Sequence, residues 1–359
     1  MNDSDAGVGN QSQSDAEPMR ADWRLRRINI TLWAAIGITL ALLLLSWAGP
    51  TIILIFAGIL AGTVLHGAGS WLSRRMGIPS TWSLAIICAG VVVVIGLAGW
   101  WIGPHVGDQL TQLEEQLRSS WDSIRQRLEQ SFLSSVMSGL TPSSIADQLG
   151  AAAGGLMSAA GAALSVVGGL VVIAFIGLYT ALAPSGYTAG LLWITPPARR
   201  DQVGDLLGAV AATLRWWFFA RMMSMATVGV LTGLGLWLIG MPLFIALGIV
   251  AALCSFVPYL GPIVSAIPAL LIGLAQSPTM GLYVLALYVA VQTAESYVIT
   301  PQFVQRAISF PPAAVLIVQL LFGVFFGILG VAFASPISAA ILTVMKKTFP
   351  DGPASRMSV

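Results

Sequence analysis

Two charged side chains stand alone in a long apolar region near the end of this 359-residue chain. Between Met222 and Met345 every side chain is uncharged except those of Glu295 and Arg306. A carboxylate in an apolar segment is costly to bury and is a candidate to carry a proton or bind a solute. We therefore take Glu295 as the first candidate for a substrate or ion pathway, with Arg306 as a gate that pairs with it in one state. The alternatives are a structural pair between the two, headgroup exposure of Glu295, and an ordinary topological role for Arg306.

Three uncharged polar side chains of the same region are further candidates for this pathway. The amides of Gln292 and Gln319 could hydrogen-bond a hydroxylated ligand, or equally a neighbouring helix. Tyr259 adjoins Pro258 at a predicted break in the backbone, so its hydroxyl could reach a cavity or an interface.

Other kinds of site find no support in the sequence. His66 and His105 lie at the ends of apolar runs and Cys88 and Cys254 lie inside them, so no spacing indicates a metal site or a disulfide. There is no nucleotide-binding motif and no pairing of a nucleophile with a base. We predict no metal, no cofactor, no enzymatic activity and no direct use of ATP. The net charge of +2 is small and scattered, so no nucleic-acid partner is expected.

The composition indicates that these residues lie in a lipid bilayer. The chain is 57% hydrophobic and 9% charged, whereas soluble domains are roughly 25% charged. Several apolar runs of about 20 residues are each long enough to cross a bilayer. We predict an all-α, polytopic helical membrane protein with about six full spans plus two broken or re-entrant segments, eight apolar segments in all.

The predicted organisation follows the alternation of apolar and polar stretches. In order, the segments are a disordered cytoplasmic N-terminus (1–27), three membrane spans (28–103), an external amphipathic helical insert (104–149), a fourth span (150–183), cytoplasmic amphipathic helices (184–220), a C-terminal membrane region (221–345) and a cytoplasmic tail (346–359). Within the insert, apolar residues such as Leu113 and Leu117 recur at helical spacing. Their stripe is expected to pack on the membrane domain or on a neighbouring subunit.

Basic residues give the orientation. Arg20, Arg24, Arg26 and Arg27 precede the first apolar run, Arg74 and Arg75 lie in the connection after the second, and Lys346 and Lys347 follow the last. Positive charge favours the cytoplasmic side of a membrane. Both termini are therefore predicted to be cytoplasmic.

Two apolar stretches, 242–275 and 311–345, are too long for simple spans. Each would form a helix of about 50 Å, against a hydrocarbon layer of about 30 Å. The residues expected to interrupt the helices in or beside these stretches are Pro258, Gly261, Pro262, Pro268, Pro301, Gly327, Gly330 and Pro336. If both stretches cross once, there are eight crossings and Arg306 is external. If both are re-entrant hairpins, which we favour, there are six and Arg306 is internal. Plain proline kinks in a packed bundle are the alternative to a broken binding region.

Five strings in this order resemble the autoinducer-2 exporter (AI-2E) family of bacterial permeases. They are LLWITPPARR (191–200), GLGLWLIGMP (233–242), FVPYLGPIVSAIPALL (256–271), QTAESYVITP (292–301) and FPPAAVLIVQLLFGVFFGILGVAFASPISAAIL (310–342). The resemblance implies a transporter of the bacterial cytoplasmic (inner) membrane, with export of a small polar quorum-sensing signal, autoinducer-2, in some members and cation/proton antiport in others. It also implies a homo-oligomer, with a pentamer as one candidate, and an elevator-like movement of the C-terminal helices.

The leading hypothesis is thus a secondary exporter of a small polar solute, in which Glu295 is the titrating group. A cation/proton antiporter of the same fold is one alternative, and a non-transporting oligomeric scaffold that recruits a partner through the external insert is another. In each case membrane lipid surrounds the protein.

Overall fold

The computed structural model describes residues 48–129, 159–299 and 312–349, and every regular element in these ranges is helical. This confirms the predicted all-α class. Met1–Ile52 and Ile53–Val359 form two compact units, and the contacts below lie within the second. The predicted N-terminal tail, the first span at 28–47, Pro301 and Arg306 lie outside the described residues.

Nine helices are described, and their bounds place them along the chain. They are α1 (Ala48–Met76), α2 (Ser80–Glu129), α3 (Ala159–Leu182), α4 (Pro184–Ile194), α5 (Arg200–Leu238), α6 (Phe244–Cys254), α7 (Leu260–Gln276), α8 (Pro278–Ala294) and α9 (Pro312–Thr348). A 3₁₀ turn, Pro197–Arg199, precedes α5, and a π-helical turn, Glu295–Ile299, extends α8.

Four of the described helices are long and apolar enough to cross a membrane. The spans are Ala48–Met76, Ser80–Leu97 within α2, Pro197–Leu238, which joins the 3₁₀ turn to α5, and Ala313–Thr348 within α9. A fifth arises if α3 and α4, which meet at an 82° bend, are counted as one span. Large apolar side chains on these helices face outward, as on α2, where Val92 and Trp100 are exposed. The chain is therefore a multi-pass membrane protein. The count of six spans plus two broken segments stays a prediction.

Small residues hold α1 against α3. A methyl group added to Gly58 would meet the side chain of Ile176, and one added to Gly62 would meet Thr180. The contacts advance in the same direction along both helices, so α1 and α3 run parallel. Glycines at this four-residue spacing let two backbones approach closely in a membrane.

The predicted external insert begins inside a longer helix. Helix α2 runs without interruption from the third predicted span to Glu129. Its Leu113 is buried in a core cluster with Leu236 and Leu247. The backbone N–H of Ala246 donates to Oε1 of Gln109 over 3.1 Å. The first part of the insert thus packs on the membrane domain near the start of α6.

The first of the two long stretches folds back on itself. Gly233 lies against Gly248, and a methyl group on Gly229 would meet Ala252, so α6 runs antiparallel to α5. With 11 residues, α6 spans about 16 Å, roughly half of the hydrocarbon layer. The chain then leaves the helix over residues 255–259, which we call the tip, and returns as α7. Segment 242–275 is therefore a helical hairpin, and its re-entry into the membrane stays a prediction.

The second long stretch is bent sharply at Gly327. This residue has φ 65° and ψ −154°, a conformation open almost only to glycine. A methyl group on Gly330 would collide with the backbone carbonyl of Phe322. In a straight helix these two residues stand about 12 Å apart. The two halves of α9 must therefore fold toward each other around Gly327.

Several of the expected breaking residues lie inside helices: Gly261 and Pro262 in the first turn of α7, Pro268 further along α7, and Gly330 and Pro336 in α9. Helix α7 continues through Pro268, and α9 continues through Pro336, which differs from the expectation that each marks a break. Proline leaves a carbonyl of the preceding turn without its usual donor. In α7 the Tyr288 hydroxyl from α8 donates to the Ser265 carbonyl over 3.1 Å. The carbonyl that loses its donor at Pro268 is that of Val264, four residues earlier, so the Tyr288 hydroxyl holds α8 against this turn without replacing the lost hydrogen bond.

Candidate functional site

Glu295 is buried at the end of α8, where the π-helical turn begins. Glu295 is 5% exposed. Its Oε1 accepts a hydrogen bond from the Ser224 hydroxyl over 2.5 Å and lies 3.7 Å from Nη1 of Arg221. A π-helical turn widens the helix by one residue and is frequent at functional sites. The carboxylate is therefore held between two side chains of α5.

Arg221 and Ser224 come from one face of α5. Their spacing of three residues places them one turn apart on the same side of a helix. Ser224 also belongs to a buried stripe at four-residue spacing, with Ala220, Val228, Thr232 and Leu236. The stripe faces the hairpin, so the adjacent Arg221 is drawn into the protein, and its side chain is only 12% exposed.

The tip of the first hairpin presents two backbone carbonyls to side chains of other helices. Residues 255–259 leave the helix, although the Pro258 carbonyl also accepts from the N–H of Leu260 over 2.7 Å. Nε of Arg221 donates to the Phe256 carbonyl over 3.0 Å, and Nε2 of Gln319 donates to the Pro258 carbonyl over 3.1 Å. Tyr259 closes the tip with φ 64°, a strained value for a residue with a side chain. Helices α5 and α9 are thus joined through the tip.

Several buried polar atoms around the tip have no hydrogen-bond partner among the described residues. They include Nη2 of Arg221, Oε1 of Gln319 and Oγ of Ser255. Gln319 and Ser255 are each fully buried. The Gln319 amide has its nitrogen toward the Pro258 carbonyl, as the chemistry demands, so its oxygen is the atom left over. Unpaired buried groups of this kind are rare in native proteins.

Aromatic rings frame the same tip. Phe256 packs edge-on against Trp217 at 5.9 Å between ring centroids and against Phe333 at 5.7 Å. Phe333 in turn contacts Phe56 of α1 at 6.2 Å. The rings place apolar surface beside the Arg221–Glu295 pair, where low polarity strengthens interactions between charges.

The predicted site residues divide into those that reach the tip and those that do not. Glu295 and Gln319 lie in the cluster. Tyr259 is part of the tip, but its side chain is 40% exposed. Gln292 is only partly buried, and its Nε2 approaches the Ser296 hydroxyl at 3.4 Å on its own helix. Arg306, the countercharge expected from the sequence, lies outside the described residues.

The countercharge found in the described residues is Arg221, which sequence reasoning missed. The predicted C-terminal membrane region, 221–345, begins with this arginine, but the search for isolated charges began at Met222 and so did not include it. In the structure, α5 is continuous from Arg200 to Leu238. A basic residue four positions after the Trp216–Trp217 pair, within a helix that goes on to cross the membrane, was the available signal.

The electrostatics of the cluster limit what it can bind. Arg221 and Glu295 contribute one charge of each sign, so the pair carries no net charge to attract a free ion. Among the described residues, no group of three or more His, Cys, Asp or Glu side chains could hold a metal ion. The arrangement offers hydrogen-bond donors on Arg221, an acceptor on Gln319 and a hydroxyl on Ser255, which suits a polar organic solute.

Comparison with known proteins agrees with the residue-level resemblance. Residues 30–349 match the model of the family described as AI-2E family transporter. The provisionally named transport proteins YrrI and YueF of Bacillus subtilis are each 28% identical to this chain, over 153 and 148 residues. These matches cover 43% of this chain and 43% of YrrI, and 41% of this chain and 40% of YueF. A similarly named transport protein of Thermotoga maritima is 32% identical over 110 residues, covering 30% of this chain and 34% of its own. Each match thus spans less than half of the relative's length.

Proposed function

Because the chain belongs to the AI-2E family of membrane transporters, we propose that it is a secondary exporter of a small polar solute, with its pathway at the tip of the first hairpin. The observation that carries this proposal is the buried contact of Glu295 with Arg221 and Ser224, beside backbone that has left the helix. Broken helices at membrane depth persist where they line a cavity or are buried in protein, and in transporters they form the solute site.

The distribution of charge supports the same proposal. Among the described residues from Met222 to Met345, Glu295 is the one charged side chain, and it meets the only cation of α5 beyond Trp217. A charged pair inside a membrane is expensive and is usually retained for function. Because Glu295 can take up a proton, it can couple the movement of a solute to a proton gradient.

The two hairpins offer a way to move the site. Gln319 of α9 binds the tip of the first hairpin at Pro258, and Phe333 of α9 packs on Phe256. These contacts would let the hairpins travel together, in keeping with the elevator-like movement that the family resemblance implies. The homo-oligomer, with a pentamer as one candidate, belongs to this same proposal.

The alternative functions fit the cluster less well. A cation that approached Glu295 would also meet the guanidinium of Arg221, which lies 3.7 Å from the carboxylate. The positive charge of the guanidinium would repel the cation. Cation/proton antiport therefore lacks a site of net negative charge here. A scaffold that recruits a partner through the external insert would have to use surface other than that of Leu113, which is buried against the membrane domain.

Export measured in cells tests the proposal. We would express the chain in bacteria that lack their own autoinducer-2 exporter and measure the intracellular signal at two external pH values. Wild type is expected to lower the intracellular signal, with a rate that depends on pH. Glu295→Gln should abolish both effects, since it removes the group that exchanges a proton. Glu115→Gln makes the same change at an exposed site of α2 and should export like wild type.

Equal export by wild type and Glu295→Gln, at matched amounts in the membrane, would reduce Glu295 to a structural role. If neither protein exports the signal, autoinducer-2 is the wrong solute. Proton-coupled flux of other solutes in vesicles would then be the next measurement.

A further inference from the structure

We propose that Gln109 is a positioning residue for the pathway: it caps α6 from the extended part of α2 and so holds the first hairpin with its tip at Arg221 and Gln319. The inference rests on the proposed function, which puts the pathway at that tip. It gives the predicted external insert a role in the pathway, and it comes from the way in which the two ends of α6 are held.

Backbone strain marks both ends of the segment that α6 and the tip form. Among the described residues, only Leu243 and Tyr259 combine a side chain with a positive φ, at 59° and 64°. Leu243 directly precedes α6, and Tyr259 closes the tip that follows it. Such a conformation costs energy and persists only where the neighbouring structure enforces it. Contacts from other elements must therefore hold both ends of this segment.

At its first turn, α6 is held by a hydrogen bond from α2. The first four N–H groups of a helix have no acceptor within that helix, and Leu243, the residue before α6, makes no side-chain cap. The N–H of Ala246 donates instead to Oε1 of Gln109 over 3.1 Å. Ala246 is the third residue of α6, where the side chain of an N-cap residue commonly accepts a hydrogen bond. Gln109 thus takes the part of the missing cap.

Apolar packing holds the same end of α6. Leu113 of α2 is buried in one core cluster with Leu243 and Leu247. Gln109 and Leu113 are four residues apart, so they lie on one face of α2. That face therefore packs on the start of α6 with both a polar and an apolar contact.

The two ends of α6 are close enough to depend on each other. With 11 residues, the helix is about 16 Å long, a length at which a helix is marginal on its own. At the far end, the carbonyls of Phe256 and Pro258 are held by side chains of α5 and α9. Without the cap, the first turn of α6 can fray and Leu243 can leave its strained conformation, so that the tip is held from one side only. Any displacement of the hairpin must carry this end of α2 with it or break the cap.

Hydrogen exchange tests the assignment without any solute. Full-length protein in lipid nanodiscs would be followed by mass spectrometry at one fixed pH. Gln109→Leu should speed exchange in the first turn of α6 and at the tip about fivefold, the fold-change that corresponds to the loss of one helix cap. Gln109→Glu should exchange like wild type, because a carboxylate accepts the same hydrogen bond and is favoured at a helix N-terminus. Gln112→Leu makes the same change at an exposed position of α2 and should also exchange like wild type.

Three results would overturn the assignment. Unchanged exchange at the tip of Gln109→Leu would show that the cap does not hold the tip. An equally large rise in α1 would show general destabilisation, and equally fast exchange in Gln109→Glu would show that the hydrogen bond is not the cause.

Export by the same variants separates this assignment from the proposed function. Gln109→Leu should lower the rate of export, and Gln109→Glu should keep it close to that of wild type. If the tip responds to Gln109→Leu as expected but wild type exports no signal, the role of Gln109 in holding the hairpin stands and the proposed solute is wrong.

Discussion

At the scale of residues, the central feature of the site is a charged pair whose two members are distant in sequence. Glu295 and Arg221 lie 74 positions apart in numbering but meet because α5 and the end of α8 pack at the tip. Ser224 adds a hydrogen bond to the same carboxylate oxygen. Burying either charge without the other would destabilise the fold, since an unpaired buried ion loses its hydration without compensation.

The interdependence of the pair can be measured by a double-mutant cycle. Arg221→Gln should lower the free energy of unfolding by on the order of 3 kcal/mol, because it leaves Glu295 buried without a countercharge. Glu295→Gln should also destabilise the protein, for the converse reason. The double variant should be more stable than the sum of the two losses predicts. Unfolding in detergent, followed by circular dichroism, gives the three values.

Arg199→Gln is the control for that cycle. It removes an exposed arginine and should change the free energy of unfolding by less than about 0.5 kcal/mol. Additive losses in the double variant would show that the two charges do not interact across the 3.7 Å that separates them.

At the scale of elements, the breaks in the two long apolar stretches have different chemical causes. The first hairpin turns over five residues that include Pro258 and the strained Tyr259. The second turns at the single residue Gly327, whose backbone conformation excludes side chains. A methyl group at Gly327 would meet nothing within 4 Å. Any cost of substitution there therefore comes from the backbone and not from packing.

Gly327→Ala isolates that cost. The substitution should destabilise the protein by about 1–3 kcal/mol, because alanine is strained at a φ of 65°. If the chain relieves this strain by straightening the bend, Gln319 is no longer held at the tip. The substitution should therefore also lower transport. Thermal unfolding and export of the same preparation provide the two readouts.

Gly208→Ala is the matched comparison in an ordinary helix. A methyl group there also meets nothing within 4 Å, but Gly208 lies in α5 without a positive φ. The substitution should stabilise the helix by about 1 kcal/mol. A similar gain at Gly327 would mean that the chain does not need the bend.

At the scale of the whole molecule, the basic residues and the hairpins lead to one topology. The end of α1, the start of α5 and the end of α9 come together, as contacts of Gly67 with Arg215 and of Thr343 with Thr213 indicate. Arg74, Arg200 and Lys347 belong to these ends. We propose that they face the cytoplasm. The first hairpin would then enter the membrane from outside and the second from inside.

Labelling with a membrane-impermeant maleimide tests this arrangement. In a background with Cys88 and Cys254 replaced by Ala, Leu238→Cys should react in intact cells, because the proposed topology puts the end of α5 outside and Leu238 is 75% exposed. Lys347→Cys and Gln305→Cys should react only after the cells are opened. External labelling at Gln305 would mean that the second stretch crosses the membrane instead of re-entering.

Much of this architecture follows from composition and spacing. The apolar runs, the polar gaps between them, the excess length of segments 242–275 and 311–345, and the isolated Glu295 can all be read along the chain, because the bilayer imposes a length and a polarity on every spanning helix. The family also follows from the order of its short strings. These are local properties, and each needs only neighbouring residues.

The partners within the site were decided by tertiary structure. Arg221 acquires its role because the buried stripe of α5 turns it toward the hairpin, and Pro268 and Pro336 are tolerated within helices that pack on their neighbours. The sequence determined which residues are too polar for the membrane, but the packing of α5, α8 and α9 around residues 255–259 chose which of them meet. A hydrogen bond or an ion pair depends on a few ångströms between elements far apart in the chain, and hydrophobic spacing along one helix does not encode that distance.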